Sequence, residues 1–229
     1  CVSSKKIINR IVDLFEINPM LGHRGCRLAI SFPEITEMQT EAILMATAKL
    51  IKQGFKPNPE IMIPLVSNVN EFEHQKSIIK RVSKKVEAEY GFKIKHKIGT
   101  MIELPRACLT ADKIAGSVDF FSFGTNDLTQ TTFGFSRDDI GSFIQDYFDN
   151  NILVEDPFKT LDQNGVGKLI ELGINNGRKV KKNLKIGICG EHGGDPKSIN
   201  FCHNLNLNYV SCSPFRVPIA RLSAAKSQL

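Results

Sequence analysis

A chain of 229 residues with 41% hydrophobic and 24% charged side chains has the balance of a globular protein, with room for one large domain or two small ones. No apolar run approaches the roughly 18–20 residues of a membrane span, CVSSKKIINR carries no signal-peptide core, and six cysteines without a CxxC pair favour reduced thiols in an intracellular protein over a disulfide framework. The net charge of +6 invites a nucleic-acid reading, but the lysines concentrate in 76–97, where Ile78, Ile79, Val82 and Val86 recur at helical spacing; a solvated amphipathic helix accounts for them, and no nucleic acid is expected.

Residues 1–24 predict a helix over Ile7, Ile8, Ile11, Val12 and Phe15, then a loop, NPMLGHRG. A strong amphipathic helix follows from Pro33 to Gln53, with Pro at its start and Gly54 beyond its end. Five short apolar runs come next: EIMIPLV (60–66), KIGTMIELP (97–105), VDFFSFGTND (118–127), LKIGICGE (184–191) and NYVSCSP (208–214). Most are separated by helical patterns, which predicts a parallel sheet with βα crossovers. A longer excursion, 128–183, holds GFSRDDIGSFIQDYFDNN, the turn-like EDPF and a helix from about Gly165 to Val180. No internal repeat or low-complexity linker marks a domain boundary. The pattern fits a (β/α)8 barrel, but five strands fall short of eight, so the expectation is the last five strands of a barrel whose first three precede Cys1.

Several strands end on polar or reactive side chains, where parallel βα folds gather function. Glu103 follows the apolar Thr-Met-Ile, and Asp127 stands in GTNDLTQ. Separately each has a plain reading, a salt-bridged barrel carboxylate and a helix N-cap. Together, two carboxylates on adjacent strand ends suit Mg²⁺, which takes one or two protein oxygens and fills its other positions with substrate and water. No His or Cys shares those two strand ends, which argues against zinc. Gly124, Thr125, Asn126 and Asp127 form a Gly-started turn whose N–H groups could face an anion. Cys189 ends its strand alone; the negative charge of nearby Glu191 and Asp195 favours a neutral thiol, better placed to give a proton than to attack, while a nearby Mg²⁺ would pull the other way, and an inert strand-end cysteine is the alternative. Arg24 and Arg137 are candidate anion clamps or ordinary surface residues. The histidines show no metal spacing, and only His192 adjoins the site.

NPMLGHRGCRL, EIMIPLV, IGTMIELPRACLTADKIA, DFFSFGTNDLTQTTFGFSRDD, GICGEHGGDP and YVSCSPFRVPIARLSAA together closely resemble the C-terminal part of the pyruvate, phosphate dikinase family, in that family's order from about Asn18 to Ala225. Phosphoenolpyruvate (PEP) synthase and Enzyme I of the sugar phosphotransferase system share the TND and CG turns, and remain the alternatives within the same chemistry. The resemblance implies a (β/α)8 barrel that binds pyruvate and PEP with Mg²⁺ held at Glu103 and Asp127. It implies substrate contact at Asn126, Arg24 and Arg137 around the phosphoryl group, and Cys189 as the residue that protonates the enolate carbon or removes the methyl proton in reverse. The overall reaction so implied turns ATP, pyruvate and phosphate into AMP, PEP and diphosphate, through a phosphohistidine on a swivelling domain.

Against that pattern, the family's two further phosphate-binding arginines on early strands are not found before Asn18, and neither the nucleotide-binding nor the phosphohistidine domain is recognised. Residues 1–229 therefore read as the C-terminal part of the barrel domain, with half a catalytic site and little turnover alone. An open barrel edge predicts self-association. A non-catalytic remnant acting in dimerisation is the second class of reading, with Phe143, Tyr147, Phe148 and the EDPF turn as its contact; the full-length family forms homodimers. The cytoplasm is the default location and no membrane partner is expected. Ser227-Gln228-Leu229 resembles a peroxisomal address with Gln in place of the basic residue, and plastid and glycosomal versions exist in the family.

Overall fold

A computed structural model of the chain describes residues 2–229. Helix α1 (Ser4–Asp13) stands on its own, capped by the Ser3 hydroxyl and burying no residue; Ile7, Ile8, Ile11 and Val12 are exposed. Helices α2 (Cys26–Ser31) and α3 (Pro33–Lys52) lead into strand β1 (Glu60–Ile63). The α3 pattern is less one-sided in the structure than in the sequence: Thr40, Leu44, Thr47 and Ala48 are buried, whereas Met38, Ile43 and Leu50 stay exposed. Helix α4 (Val69–Tyr90) opens on a capping box of Asn68 and Glu71 and closes on Gly91 in the left-handed region at φ 80°. Its Phe72, Ile78, Ile79, Val82 and Val86 are buried, and its basic face pairs with acids of α3, Arg81 with Glu37 and Lys85 with Glu41.

Beyond it run β2 (Lys97–Ile102), α5 (Pro105–Leu109), α6 (Ala111–Ala115), β3 (Phe120–Gly124), α7 (Thr125–Phe133), α8 (Ile144–Asp149), α9 (Val166–Val180), β4 (Lys185–Cys189), α10 (Pro196–Asn204), β5 (Tyr209–Val210) and α11 (Val217–Ser227). The five strands are all parallel and lie in chain order, β1-β2-β3-β4-β5. The protein is thus α/β, with one five-stranded parallel sheet among the described residues. Each strand is shorter than its apolar run in the sequence. None of the helices described is long and apolar enough to cross a membrane.

The two faces of the sheet differ. Ile61, Ile63, Ile98, Ile102, Phe121, Phe123, Ile186 and Ile188 point to one face and are buried beneath the helices. Gly173 and Gly177, one turn apart on α9, lie against the Phe123 and Phe121 rings, so the helix backbone approaches β3 closely. On the other face, Glu60 of β1 accepts from Lys97 of β2 at 3.2 Å and from Lys185 of β4 at 2.7 and 2.9 Å. Neighbouring strands lie about 4.8 Å apart, so β1 and β4 would be separated by roughly 14 Å in a flat sheet. For Glu60 and Lys185 to touch, the sheet must curl, with this face inside the curve. Gly99 and Gly187 sit on the concave face because a Cβ there would run into the rings of Phe120 and Tyr209.

The aromatic side chains of the 128–163 excursion are largely used within the chain. Phe133 stacks on Phe135, and Phe135 packs edge-on against Phe143 and Tyr147. Phe158 of the EDPF turn is buried.

Candidate functional site

The strand alternation that puts Lys97 on the concave face puts Glu103, just past the end of β2, on the same face. Gly124 ends β3 and pairs in register with Cys189, which ends β4. Glu103, Gly124 and Cys189 therefore form a row across three adjacent strand ends. The glycine is a spacer: any Cβ at 124 would strike the Glu103 carboxylate. The sequence reading of 124–127 as a Gly-started turn took the glycine for its backbone, whereas its place here is set by a neighbour. Thr125 is already the first residue of α7, and Gly124, at φ −86°, is required by the close approach of Glu103.

Glu103 is only 3% exposed. Its Oε1 accepts the Leu65 N–H at 2.5 Å. Leu65 sits at φ 57°, a left-handed conformation that non-glycine residues seldom adopt, and that is why β1 stops at Ile63 although the apolar run continues. Asp127, in the first turn of α7, lies within hydrogen-bonding reach of Glu103. Burial pushes the Glu103 carboxyl up to about 7, and the Asp127 charge adds to this, against the opposing pull of the Leu65 N–H and of Arg24. The proton of this pair is thus favoured on Glu103, the more buried of the two. Arg24 donates from Nη2 to Asp127 Oδ1 and from Nε to the Met20 carbonyl at 2.9 Å, so this candidate anion clamp pairs here with a carboxylate of the chain itself. The neighbouring Asn126 holds its Oδ1 buried without a hydrogen-bond partner among the described residues.

Cys189 is half-buried, its Sγ 3.6 Å from the Phe123 carbonyl oxygen. Its thiol is raised above the ordinary range by burial first, then by the charges of Glu103 and Asp127, with a Ser122 hydrogen bond opposing. Glu191 and Asp195, the charges the sequence reading set against the thiol, are not among the groups that raise it. Glu191 pairs instead with Arg137, and Asp195 caps α10, accepting from the Ser198 N–H at 2.8 Å and hydroxyl at 2.6 Å. Arg137 thus stands on the loop that follows Cys189 rather than beside the carboxylate pair.

The sequence reading gave His192 no role, and the structure buries it completely. Its Nδ1 lies 2.7 Å from Thr125 Oγ1 and its Nε2 2.9 Å from the Pro157 carbonyl oxygen. Thr125 Oγ1 in turn lies 2.9 Å from the Cys189 carbonyl oxygen. The signal available in the sequence was its place in Cys-Gly-Glu-His, three residues past the thiol. Beside these groups opens a cavity of about 550 Å³, lined by Asn126, Gly190, Glu191, Cys212 and Arg216 among others. Among the described residues no three His, Cys, Asp or Glu side chains form a ligand cluster. The site therefore offers two hard carboxylate donors, an orphan amide oxygen and a protonated thiol around one strand-end face.

Compared with known proteins, residues 2–229 match the family model described as PEP-utilising enzyme, PEP-binding domain. The chain is 57% identical to pyruvate, phosphate dikinase 1, chloroplastic, of Arabidopsis thaliana over 225 residues, which is 98% of the chain and 23% of that protein. It is 55% identical over 221 residues to pyruvate, phosphate dikinase of Clostridium symbiosum, covering 96% of the chain and 25% of the relative. Pyruvate, phosphate dikinase 2 of Zea mays is 58% identical over 217 residues, covering 95% and 25%. The chain spans about a quarter of the length of these curated relatives.

Proposed function

The chain belongs to the PEP-utilising enzymes, as their PEP-binding domain, and from that premise we propose that it is the C-terminal part of a PEP/pyruvate-binding (β/α)8 barrel in a pyruvate, phosphate dikinase. The curl of the sheet and the strand order β1 to β5 support the barrel. The observation that carries the function is the row Glu103, Gly124, Cys189, which sets a buried acid pair on one side of a spacer and a neutral thiol on the other.

The residues present fit a hard divalent cation. Glu103 and Asp127 supply two oxygen donors in close contact, with the Glu103 carboxyl driven toward its neutral form, and the Asn126 Oδ1 near Gly190 has no donor among the described residues. Mg²⁺ held by Glu103 and Asp127 would act as a Lewis acid, stabilising negative charge on the enolate oxygen and on the phosphoryl group in transfer. The chain's own residues do the rest. Asn126, at the start of α7, contacts the bound three-carbon acid, with Gly124 and Thr125 forming the floor beside it. Arg24 stands ready for anionic oxygens at the Asp127 side, and Arg137 at the Cys189 side. Cys189 gives its S–H proton to one face of the enolate carbon, forming pyruvate and leaving a thiolate that solvent reprotonates. In the reverse direction the thiolate removes a methyl proton. Burial keeps the thiol protonated at neutral pH, as a donor requires. The phosphoryl group would come from, or go to, a phosphohistidine carried by another domain of the same protein.

Calorimetric titration of oxalate, a planar mimic of the pyruvate enolate, tests this reading. It would be run with Mg²⁺ on the chain and on a version extended upstream to the length of its relatives. Binding that needs Mg²⁺ and disappears in Glu103→Ala is expected. Binding that survives Glu103→Ala, or no binding by the extended version, would overturn the assignment.

A further inference from the structure

We infer that His192 is a positioning residue for this site: wedged between Thr125 and Pro157, it takes up the Thr125 hydroxyl and so sets how the strand end bearing Cys189 sits against the turn bearing Asn126 and Asp127. The inference rests on the proposed role of Cys189 and deepens it.

Counting hydrogens carries the argument. The Pro157 carbonyl can only accept, so the His192 Nε2 facing it at 2.9 Å carries a hydrogen. Burial lowers the basicity of the ring, against the opposing charges of Asp195, Glu191 and Asp156 that face it, which keeps the imidazole neutral. Its Nδ1 is then a bare acceptor, 2.7 Å from Thr125 Oγ1. The hydroxyl has one hydrogen and two acceptors within reach, His192 Nδ1 at 2.7 Å and the Cys189 carbonyl at 2.9 Å. The two acceptors compete for it, so the imidazole draws the hydroxyl away from the Cys189 carbonyl. Remove the imidazole and the hydroxyl turns wholly to Cys189.

The surroundings leave little slack for that choice. Gly190 sits at φ 104°, and a Cβ there would lie 3.0 Å from Thr125 Oγ1 and 3.1 Å from Asn126 Oδ1. On the far side, a Cβ on Gly193 would strike the Ser211 carbonyl oxygen. The turn from Cys189 to Gly194 is thus clamped between α7 and the end of β5, with His192 as its buried pin. Thr125 adjoins Asn126 and lies two residues before Asp127, so a shift of its hydroxyl reaches the carboxylate pair as well as the thiol.

The test reads the Cys189 thiol directly. Alkylation by iodoacetamide, followed by peptide mass spectrometry, resolves Cys189 from the other five cysteines in the sequence. His192→Leu should raise the Cys189 rate by roughly three- to tenfold, the range that one hydrogen bond is worth. His192→Asn, whose side-chain oxygen can accept from Thr125 in place of Nδ1 but cannot also reach Pro157, should return the rate to within about twofold of the parent. Both variants lose the Pro157 bridge and should melt at similarly lowered temperatures. A residue that merely anchored the loop would make the two indistinguishable in alkylation as well, and that result overturns the inference. Should His192→Leu fail to fold, Thr125→Val and the pair Thr125→Val with His192→Asn decide it: a change of more than about twofold between them overturns the coupling through the hydroxyl. Loss of oxalate binding with an intact His192 effect on Cys189 would remove the proposed chemistry and leave the positioning in place.

Discussion

Glu103→Gln separates what the buried carboxyl costs the fold from what it does for a ligand. A carboxyl raised from its ordinary 4.5 to about 7 holds a proton in the folded chain that the unfolded chain has released. The associated stability is fully present below pH 4.5 and is lost as pH rises through about 7. At about 1.4 kcal/mol per tenfold change in proton affinity, the loss in the metal-free protein reaches roughly 3 kcal/mol by about pH 8.5. Gln keeps an oxygen for the Leu65 N–H that Glu103 Oε1 accepts at 2.5 Å, so the left-handed turn at Leu65 retains its partner while the charge goes. Urea denaturation at about pH 5 and about pH 8.5 measures both proteins, and the difference between them cancels every other titrating group. The parent should fall below Glu103→Gln by up to roughly 3 kcal/mol on going from acid to alkaline pH. Adding Mg²⁺ with oxalate should then reverse the order at alkaline pH, stabilising the parent alone. A parent-minus-variant difference that stays constant across that range would refute the raised, buried Glu103 carboxyl.

Two further substitutions probe the same region. Arg24→Gln should weaken oxalate binding by about ten- to a hundredfold, as loss of a charge-assisted contact does, while Mg²⁺ alone binds no worse, because the cation now paired with Asp127 no longer competes; calorimetry reads both, and a parallel loss of Mg²⁺ affinity would count against placing Arg24 on the ligand side. Gly193→Ala drives a methyl group into the Ser211 carbonyl and should cost about 1–3 kcal/mol in urea, whereas Gly116→Ala, at φ −62° with open space around it, should be neutral or stabilising by up to about 1 kcal/mol.

What the sequence disclosed and what it hid follow a physical line. The five strands were legible because each is a short apolar run between helical patterns, and Glu103, Asp127 and Cys189 stood out as polar groups where those runs stop. Their limits were overextended where the backbone turns for a reason outside the run, as at Leu65, whose φ of 57° delivers its N–H to a carboxylate 38 residues away. Errors of cause had the same root. Glu191 and Asp195 are near Cys189 in sequence, but one side chain goes to Arg137 and the other to the start of α10, whereas the charges that bear on the thiol belong to Glu103, past the end of β2, and Asp127, in the first turn of α7. Gly124 looked like part of an anion-binding turn because glycines often are; that it makes room for a side chain of the adjacent strand is a fact of register, which composition does not carry. His192 was visible beside the site, yet its role depends on Thr125 and Pro157, 67 and 35 residues away.

The two ends of the concave face show why one rim is the site. At the N-terminal end of the strands, Glu60 meets two ammonium groups, Lys97 and Lys185. Burial alone would raise its carboxyl, but the two lysines hold it below the ordinary range. That end carries all the cation its carboxylate can use, and Lys185 also rests 4.9 Å from the centre of the Tyr209 ring. At the C-terminal end the balance is reversed. Glu103 and Asp127 share a single half-exposed arginine, the more buried of the two acids is driven toward its neutral form, and an amide oxygen beside them is left without a donor. A fold stabilised for its own sake would have no use for that arrangement, because each buried acceptor and each crowded charge detracts from stability. The deficit is of positive charge and of hydrogen-bond donors, and Asn126 faces a cavity of about 550 Å³. A divalent cation answers the first and a bound ligand the second. Burial raises the thiol across the Gly124 gap, and the charges of Glu103 and Asp127 add to it. The discomfort left at this rim and the chemistry proposed for it therefore go together: the acid pair calls for a cation, and the same burial that raises Glu103 keeps Cys189 a proton donor.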